Sequence, residues 1–220
     1  PFESASLSMF SIRDNIEREA LSKGGFLYEE PVFLLEREVQ DIASYFSIMK
    51  TIAMGHHKVS QVAALLGVSS NSLSPYLRTL MALQLLEKRI PVTEKQPEKS
   101  RKGLYHVRDH FIAFWFRFVH AYQGELEMEN TAYVLDKLNT SFIDTHVSFV
   151  YEEVCRDMLA SLCREGLFSF TPGKVGSYWN ANTEIDVVAL DEVNRRVLLG
   201  ECKYLMKPVD ADVLFTLKKK

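Results

Sequence analysis

Apolar residues recur at three- and four-residue steps through most of the chain and at alternate positions near its end, so helices are expected first and strands last. Ile12, Ile16 and Ala20 share one helical face, and Gly24-Gly25 stops that helix. Pro31 can open a second helix with Val32-Phe33-Leu34-Leu35 as its apolar side. A tighter group follows. Tyr45 to Ala53 is an apolar helix closed by Gly55, and a further helix runs from about Ser60 to Leu66 and stops at Gly67. The next helix starts at a Ser69 cap, with Leu73, Tyr76, Leu77, Leu80 and Leu83 as its core stripe. Leu85 to Thr93 and Gly103 to Val107 read as two strands joined by a charged loop containing Pro97.

The run Val59 to Ser69 has the small residues and the turn glycine that let two helices cross closely in a helix-turn-helix, and the strand pair after it completes a winged helix. Between Gln84 and Arg108 there are seven basic side chains against three acidic ones, a local surplus of four. Lys95, Lys99, Arg101 and Lys102 place this surplus on the wing, where phosphate contacts supply affinity but little sequence information. Ser70, Asn71, Ser72 and Arg78 of the third helix are the candidates for reaching base edges or phosphates. The same serines and asparagine are also good helix-start residues, and Pro75 stands where a DNA-reading helix would usually carry a base-contacting cation. A winged helix that binds protein instead of DNA is the competing reading.

His110 to Val119 is apolar nearly all round a helix, which predicts burial and, on sequence alone, a junction between domains. Leu135 to Leu162 reads as one or two helices with Phe149, Val150, Val154, Met158 and Leu162 facing inward. From Gly176 the period becomes that of strands: Ser177 to Asn180, Glu184 to Leu190, a turn at Asp191 to Asn194, then Arg195 to Tyr204. Acidic groups sit deep in these apolar runs, where charge is costly unless paired or metal-bound. Asp186 and Glu201, brought together across the ladder, would suit a hard divalent cation, Mg2+ or Mn2+. Lys203 could then orient a water or stabilise charge at a phosphate, with Glu152 on the preceding helix and Glu184 assisting. An Asp late in one strand and Glu-x-Lys in the next resembles the PD-(D/E)xK nuclease-like fold. The plainer alternative is a structural ion pair between Glu201 and Lys203.

Composition narrows the classes without selecting one. The 220 residues are 47% hydrophobic and 25% charged, with 29 acidic side chains against 26 basic ones, the profile of a globular protein. No window approaches the roughly 18 uncharged apolar residues of a membrane span. Cys155, Cys163 and Cys202 lack CxxC spacing, so neither a disulfide framework nor a thiolate zinc site is expected, and the histidines show no HExxH. The chain opens with Pro1, carries no targeting segment and reads as a cytoplasmic fragment with no membrane partner.

Six blocks in order carry a wider resemblance: Phe26 to Pro31, Tyr45 to Ile48, Ser72 to Leu77, Ser100 to Tyr105, Phe114 to Phe118 and Gly200 to Lys203. Together they resemble the C-terminal half of the archaeal-type ATPase family of AAA-superfamily P-loop proteins. The resemblance implies a mixed α and α/β architecture in three parts. Residues 1–38 would be the helical lid remnant of an ATPase domain, 39–109 a winged helix, and 110–220 a helical junction plus a restriction-endonuclease-like domain, C-terminally incomplete. No GxxxxGK[ST] occurs, so ATP would act only through a missing N-terminal domain. DNA is the expected partner, and a protein partner for a regulatory module of a signalling ATPase is the alternative.

Overall fold

Ser11 caps the first helix: its hydroxyl accepts the Asp14 N–H at 3.2 Å, and the Asp14 carboxylate accepts the Ser11 N–H at 3.0 Å. The computed structural model describes residues 11–168, 171–205 and 208–220. Helix α1 (Ile12–Ile16) runs on as a wider π turn over Glu17–Leu21. Gly25 follows in close contact with that turn, where a Cβ would stand 2.3 Å from the Glu19 carbonyl oxygen. Helix α2 (Glu30–Glu36) has Pro31 in its first turn, as expected. Helix α3 (Ile42–Ala53) is followed by α4 (Val59–Leu66), which ends on Gly67 in the left-handed region at φ +66°. Helix α5 (Ser70–Ala82) starts where the Ser69 hydroxyl accepts the Ser72 N–H at 3.2 Å, and it buries Leu73, Leu77 and Leu80.

Strands β1 (Leu86–Arg89) and β2 (Leu104–Val107) form a two-stranded sheet. The first is shorter than the apolar run predicts because Pro91 has no N–H to continue a ladder. His57 holds β2 in place: its Nδ1 meets the Tyr105 carbonyl at 2.8 Å and its ring stacks on His106 with centroids 4.0 Å apart.

Beyond β2, α6 (His110–Phe114) continues through a π turn over Trp115–Val119 and a 3-10 turn over His120–Tyr122 into α7 (Gln123–Glu127), and α8 (Thr131–Phe142) follows. The expected burial is met over most of the run, with Trp115, Phe116, Phe118 and Val119 almost wholly enclosed, while His110 at its start is exposed. The surroundings differ from the expected junction. These aromatics belong to one large core shared with Ile48, Met49, Leu77 and Leu80. The Trp115 indole donates to the Tyr28 carbonyl at 2.7 Å, and Arg117 Nε donates to the Ala53 carbonyl at 2.7 Å, satisfying the exposed end of α3.

The chain divides into two compact units: one comprises the residues up to Glu87 with Tyr105–Phe142, the other Lys88–Leu104 with Ile143–Lys220. Residues 110–142, grouped by sequence with the C-terminal part, thus belong with the first helices, and the loop between the two short strands goes with the second unit.

In that second unit, α9 (Ser148–Arg164) packs on an antiparallel meander of β3 (Lys174–Trp179), β4 (Glu184–Asp191) and β5 (Arg196–Gly200), and α10 (Asp212–Leu217) comes last. Its core is small, with Leu159 and Cys163 of α9 against Val187 and Ala189 of β4. The tight turn after β4 is held by Asp191, whose two carboxylate oxygens accept the Asn194 N–H at 3.0 Å and its side-chain amide at 2.8 Å. Two expectations are corrected. The inward stripe assigned to this helix faces the wrong way: Phe149, Val154 and Met158 are exposed, because α9 carries apolar residues on two sides and the sheet takes the side of Leu159 and Cys163. The last strand also stops at Gly200, so Glu201 and Lys203 lie beyond it and not along one strand face.

The architecture is therefore mixed: helices with two small sheets. Among the described residues no helix is long and apolar enough to cross a membrane.

Candidate functional site

The C-terminal carboxylates meet where the β4–β5 ladder runs out. Its last pair is Val187 with Gly200, so Asp186 stands one residue past the end of the pairing. There the Asp186 carboxylate replaces a ladder partner: Oδ2 accepts the backbone N–H of Cys202 at 2.7 Å. This fixes the segment Glu201-Cys202-Lys203 against β4. From the other side, Arg156 of α9 donates to the Asp186 carbonyl at 3.0 Å and pairs with Glu152 at 3.6 Å across one helical turn. One chain of polar contacts thus leads from Glu152 through Arg156 and Asp186 to residues 201–203. Glu184, at the outer end of β4 opposite Trp179, is exposed and adds only a more distant charge.

The charges in this group are uneven. Burial first, then the neighbouring Asp186 carboxylate, pushes Glu152 up to about 7, with Arg156 opposing. Glu201 is held below the usual carboxylate range: burial pushes it up, but hydrogen bonds from Lys220 and Lys203 outweigh that. The two ammonium groups take one oxygen each, Lys203 on Oε1 at 2.9 Å and Lys220 on Oε2 at 2.7 Å. Lys203 is raised by its bond to Glu201 and further by the Asp186 and Glu152 charges, so it remains an ammonium at neutral pH. Burial, contact with Cys155 and the charges of Asp186 and Glu152 push the Cys202 thiol up to about 12.

Oxygen donors, two of them crowded enough for one to retain its proton near neutrality, have the chemistry of a hard-cation site. The closure of such a site is not formed: among the described residues no three His, Cys, Asp or Glu side chains are grouped to hold a metal ion. Glu201 faces two lysines, whereas its place in the sequence predicts a cation shared with Asp186. Arg156 and Lys220 join this group without being singled out by the sequence pattern. Arg156 was legible as the i+4 partner of Glu152, whereas nothing local ties Lys220 to a carboxylate 19 positions earlier.

The residues expected to meet nucleic acid fall into two sets. Ser70, Asn71, Ser72 and Arg78 are exposed on α5, with the Ser72 hydroxyl also turned back to the Ser69 carbonyl at 2.7 Å. Lys95, Lys99, Arg101 and Lys102 are exposed on the loop between β1 and β2. That loop is anchored in the second unit. The Val92 N–H donates to the Ser177 carbonyl at 2.9 Å, the Trp179 indole donates to the Lys102 carbonyl at 3.1 Å, and Arg89 pairs with Glu153. Gly176 makes the approach feasible, since a Cβ there would stand 3.1 Å from Val92. Lys102 is further drawn to Glu94 at 3.3 Å.

Residues 115–212 match a family described as "Archaea bacterial proteins of unknown function", a span that contains Glu152, Asp186, Glu201 and Lys203. The chain is also similar to an uncharacterized protein of Methanocaldococcus jannaschii, 29% identical over 191 residues. That alignment covers 87% of this chain and 42% of the relative, so the chain spans less than half the relative's length. No solved structure matches the chain.

Proposed function

We propose that this chain is the C-terminal region of an archaeal-type ATPase, a DNA-associated module whose second unit carries a nuclease-like, metal-dependent phosphodiester site. The supporting observation is the polar chain that joins Glu152, Arg156 and Asp186 to the Glu201–Lys203 segment at the end of β4. Asp186 and Glu201 would hold Mg2+ or Mn2+ once Lys220 leaves Oε2 of Glu201, and the ion would polarise a phosphoryl oxygen and acidify a water. Lys203, kept charged by Glu201, stabilises the charge that develops on the phosphate and is not itself a base. Glu152 is the better proton acceptor, and Arg156 positions it. The exposed cations of the β1–β2 loop and of α5 supply the sequence-independent grip on DNA, and ATP is handled outside this chain.

The test is cleavage of labelled single- and double-stranded DNA by the full chain with Mg2+ or Mn2+, beside Lys203→Ala and Glu152→Gln. Metal-dependent cleavage is expected, lowered about a hundredfold or more in either variant. Equal cleavage by all three proteins, or none by any with no metal-dependent shift in Tm, overturns the reading.

A second reading, a regulatory module that docks a protein, is favoured by the anchoring of the basic loop on β3 and by the exposed Phe149, Val154 and Met158 of α9. Salt separates the two readings. DNA binding through Lys95, Lys99 and Arg101 weakens steeply between low and physiological salt, while association through an apolar face does not.

A further inference from the structure

The basic loop and the sheet of the second unit meet at a tryptophan. Side chains alternate along a strand, so Ile185, Val187 and Ala189 of β4 belong to one face of the sheet and Glu184, Asp186 and Val188 to the other. The first face packs on Leu159 and Cys163 of α9 through Val187 and Ala189. On the second, Gly176 pairs with Val188 and Val92 lies over Gly176, so the loop covers the face to which Asp186 belongs. Trp179 pairs with Glu184 at the end of this face, and its indole donates to the Lys102 carbonyl at 3.1 Å. Both sides of that contact are held in place. Lys88 crosses Gly103, where a Cβ would collide with it, and donates to the Ser100 carbonyl at 3.0 Å, which folds the loop back on itself. After Trp179, the Asn180 carboxamide oxygen accepts the Asn182 and Thr183 N–H groups at 2.8 and 2.9 Å and closes the turn into β4.

We propose that Trp179 and the β1–β2 loop form a binding site for single-stranded DNA, with one base stacked on the indole and the neighbouring phosphates on the loop cations. Between Pro91 and Gly103 the loop carries Lys95, Lys99, Arg101 and Lys102 against Glu94 and Glu98, and all four cations are exposed. Glu94 engages Lys102 at 3.3 Å, and Glu184 stands opposite Trp179, so the positive field is strongest toward Lys95, Lys99 and Arg101. Cations alone fit any polyanion. The tryptophan narrows the choice. It is half-buried, set singly beside the basic residues, and its N–H is already committed to the loop, so what it offers a ligand is its π surface. A duplex keeps its base faces inside the stack, whereas an unpaired base can cover such a ring whatever its identity.

The inference rests on the DNA-associated reading above and names the form of DNA that the second unit takes. Loop, tryptophan and acidic group all lie within that unit. Asp186 follows Glu184, the partner of Trp179, by two residues, about 7 Å along β4. A strand stacked at Trp179 is therefore held on the sheet face, and near the sheet end, where the carboxylates gather.

The test titrates the full chain, without divalent metal, with oligo(dT) and with a duplex of the same length, read by tryptophan fluorescence and by the anisotropy of labelled DNA. Trp115, only 3% exposed in the core of the first unit, is shielded from ligand, so quenching reports Trp179. Saturable quenching is expected with oligo(dT) and not with the duplex. Trp179→Ala should weaken oligo(dT) binding about fivefold to a hundredfold, while Trp179→Phe, which keeps a ring but loses the indole N–H, should retain most of the affinity. Arg101→Ala should flatten the slope of log affinity against log salt by about 0.7. Equal losses in Trp179→Phe and Trp179→Ala would mean that the residue only holds the loop, which overturns the stacking site. Binding of oligo(dT) without quenching, or of the duplex alone, overturns it too and leaves the DNA-associated reading standing; binding of neither form overturns both. Quenching by oligo(dT) from a protein that cleaves no DNA when metal is added supports the site and refutes only the nuclease reading.

Discussion

Glu152 shows how far a single side chain departs from what its position in the sequence implies. As a helical Glu four residues before Arg156 it looks like half of a surface ion pair, worth little. In the fold it is raised to about 7, by burial first and then by Asp186. The folded state therefore keeps a proton that the unfolded chain releases near 4.5, and stability falls as pH rises from there to about 7, then levels. The full shift corresponds to at most about 3 kcal/mol, and screening of a partly exposed carboxylate reduces it to about 1 to 2 kcal/mol. Glu152→Gln should match the wild type in urea denaturation at pH 4 and exceed it by that amount at pH 8. Wild-type stability that rises across this window, with the variant following it, would contradict the burial of Glu152 beside Asp186.

At the scale of elements, caps and contacts separate folding roles from binding roles. Ser69 accepts the Ser72 N–H at the start of α5, so Ser69→Ala should cost about 1 kcal/mol in urea denaturation. Asn71 is exposed in the same turn, and Asn71→Ala should change stability by less than about 0.5 kcal/mol, leaving any loss of DNA affinity attributable to contact. An equal loss of stability in both variants would make Asn71 structural. Helix α9 teaches the opposite lesson about legibility. Its periodicity predicts a helix correctly, but a helix with apolar residues on two sides does not state which side is covered. The sheet covers the side of Leu159 and Cys163 and leaves Val154 and Met158 exposed, a choice made by β4 and invisible in the helix itself.

Across the whole molecule the two units differ in how much core each encloses. The first surrounds Phe116, Phe118, Ile52 and Leu80 completely, while the second rests on Leu159, Cys163, Val187 and Ala189. Amides of β4 should therefore exchange with deuterium at lower opening free energy than those of α3 and α5, since protection follows buried apolar contact. Equal protection would show that the small core is as stable as the large one. Backbone preference and periodicity within a few residues are enough to place the helices from Ile12 to Leu83, the Ser69 cap, the stop at Gly67 and three strands from about Gly176 on. The same local pattern makes Asp186, Glu201 and Lys203 candidates, since charge among apolar residues is conspicuous, with Glu152 added from the preceding helix. That β5 ends before Glu201, that Lys220 reaches it and that the basic loop is held by Ser177 and Trp179 are set by packing alone. Each of these joins groups from separate stretches of chain, and such contacts are set by how the elements pack, which no local pattern encodes.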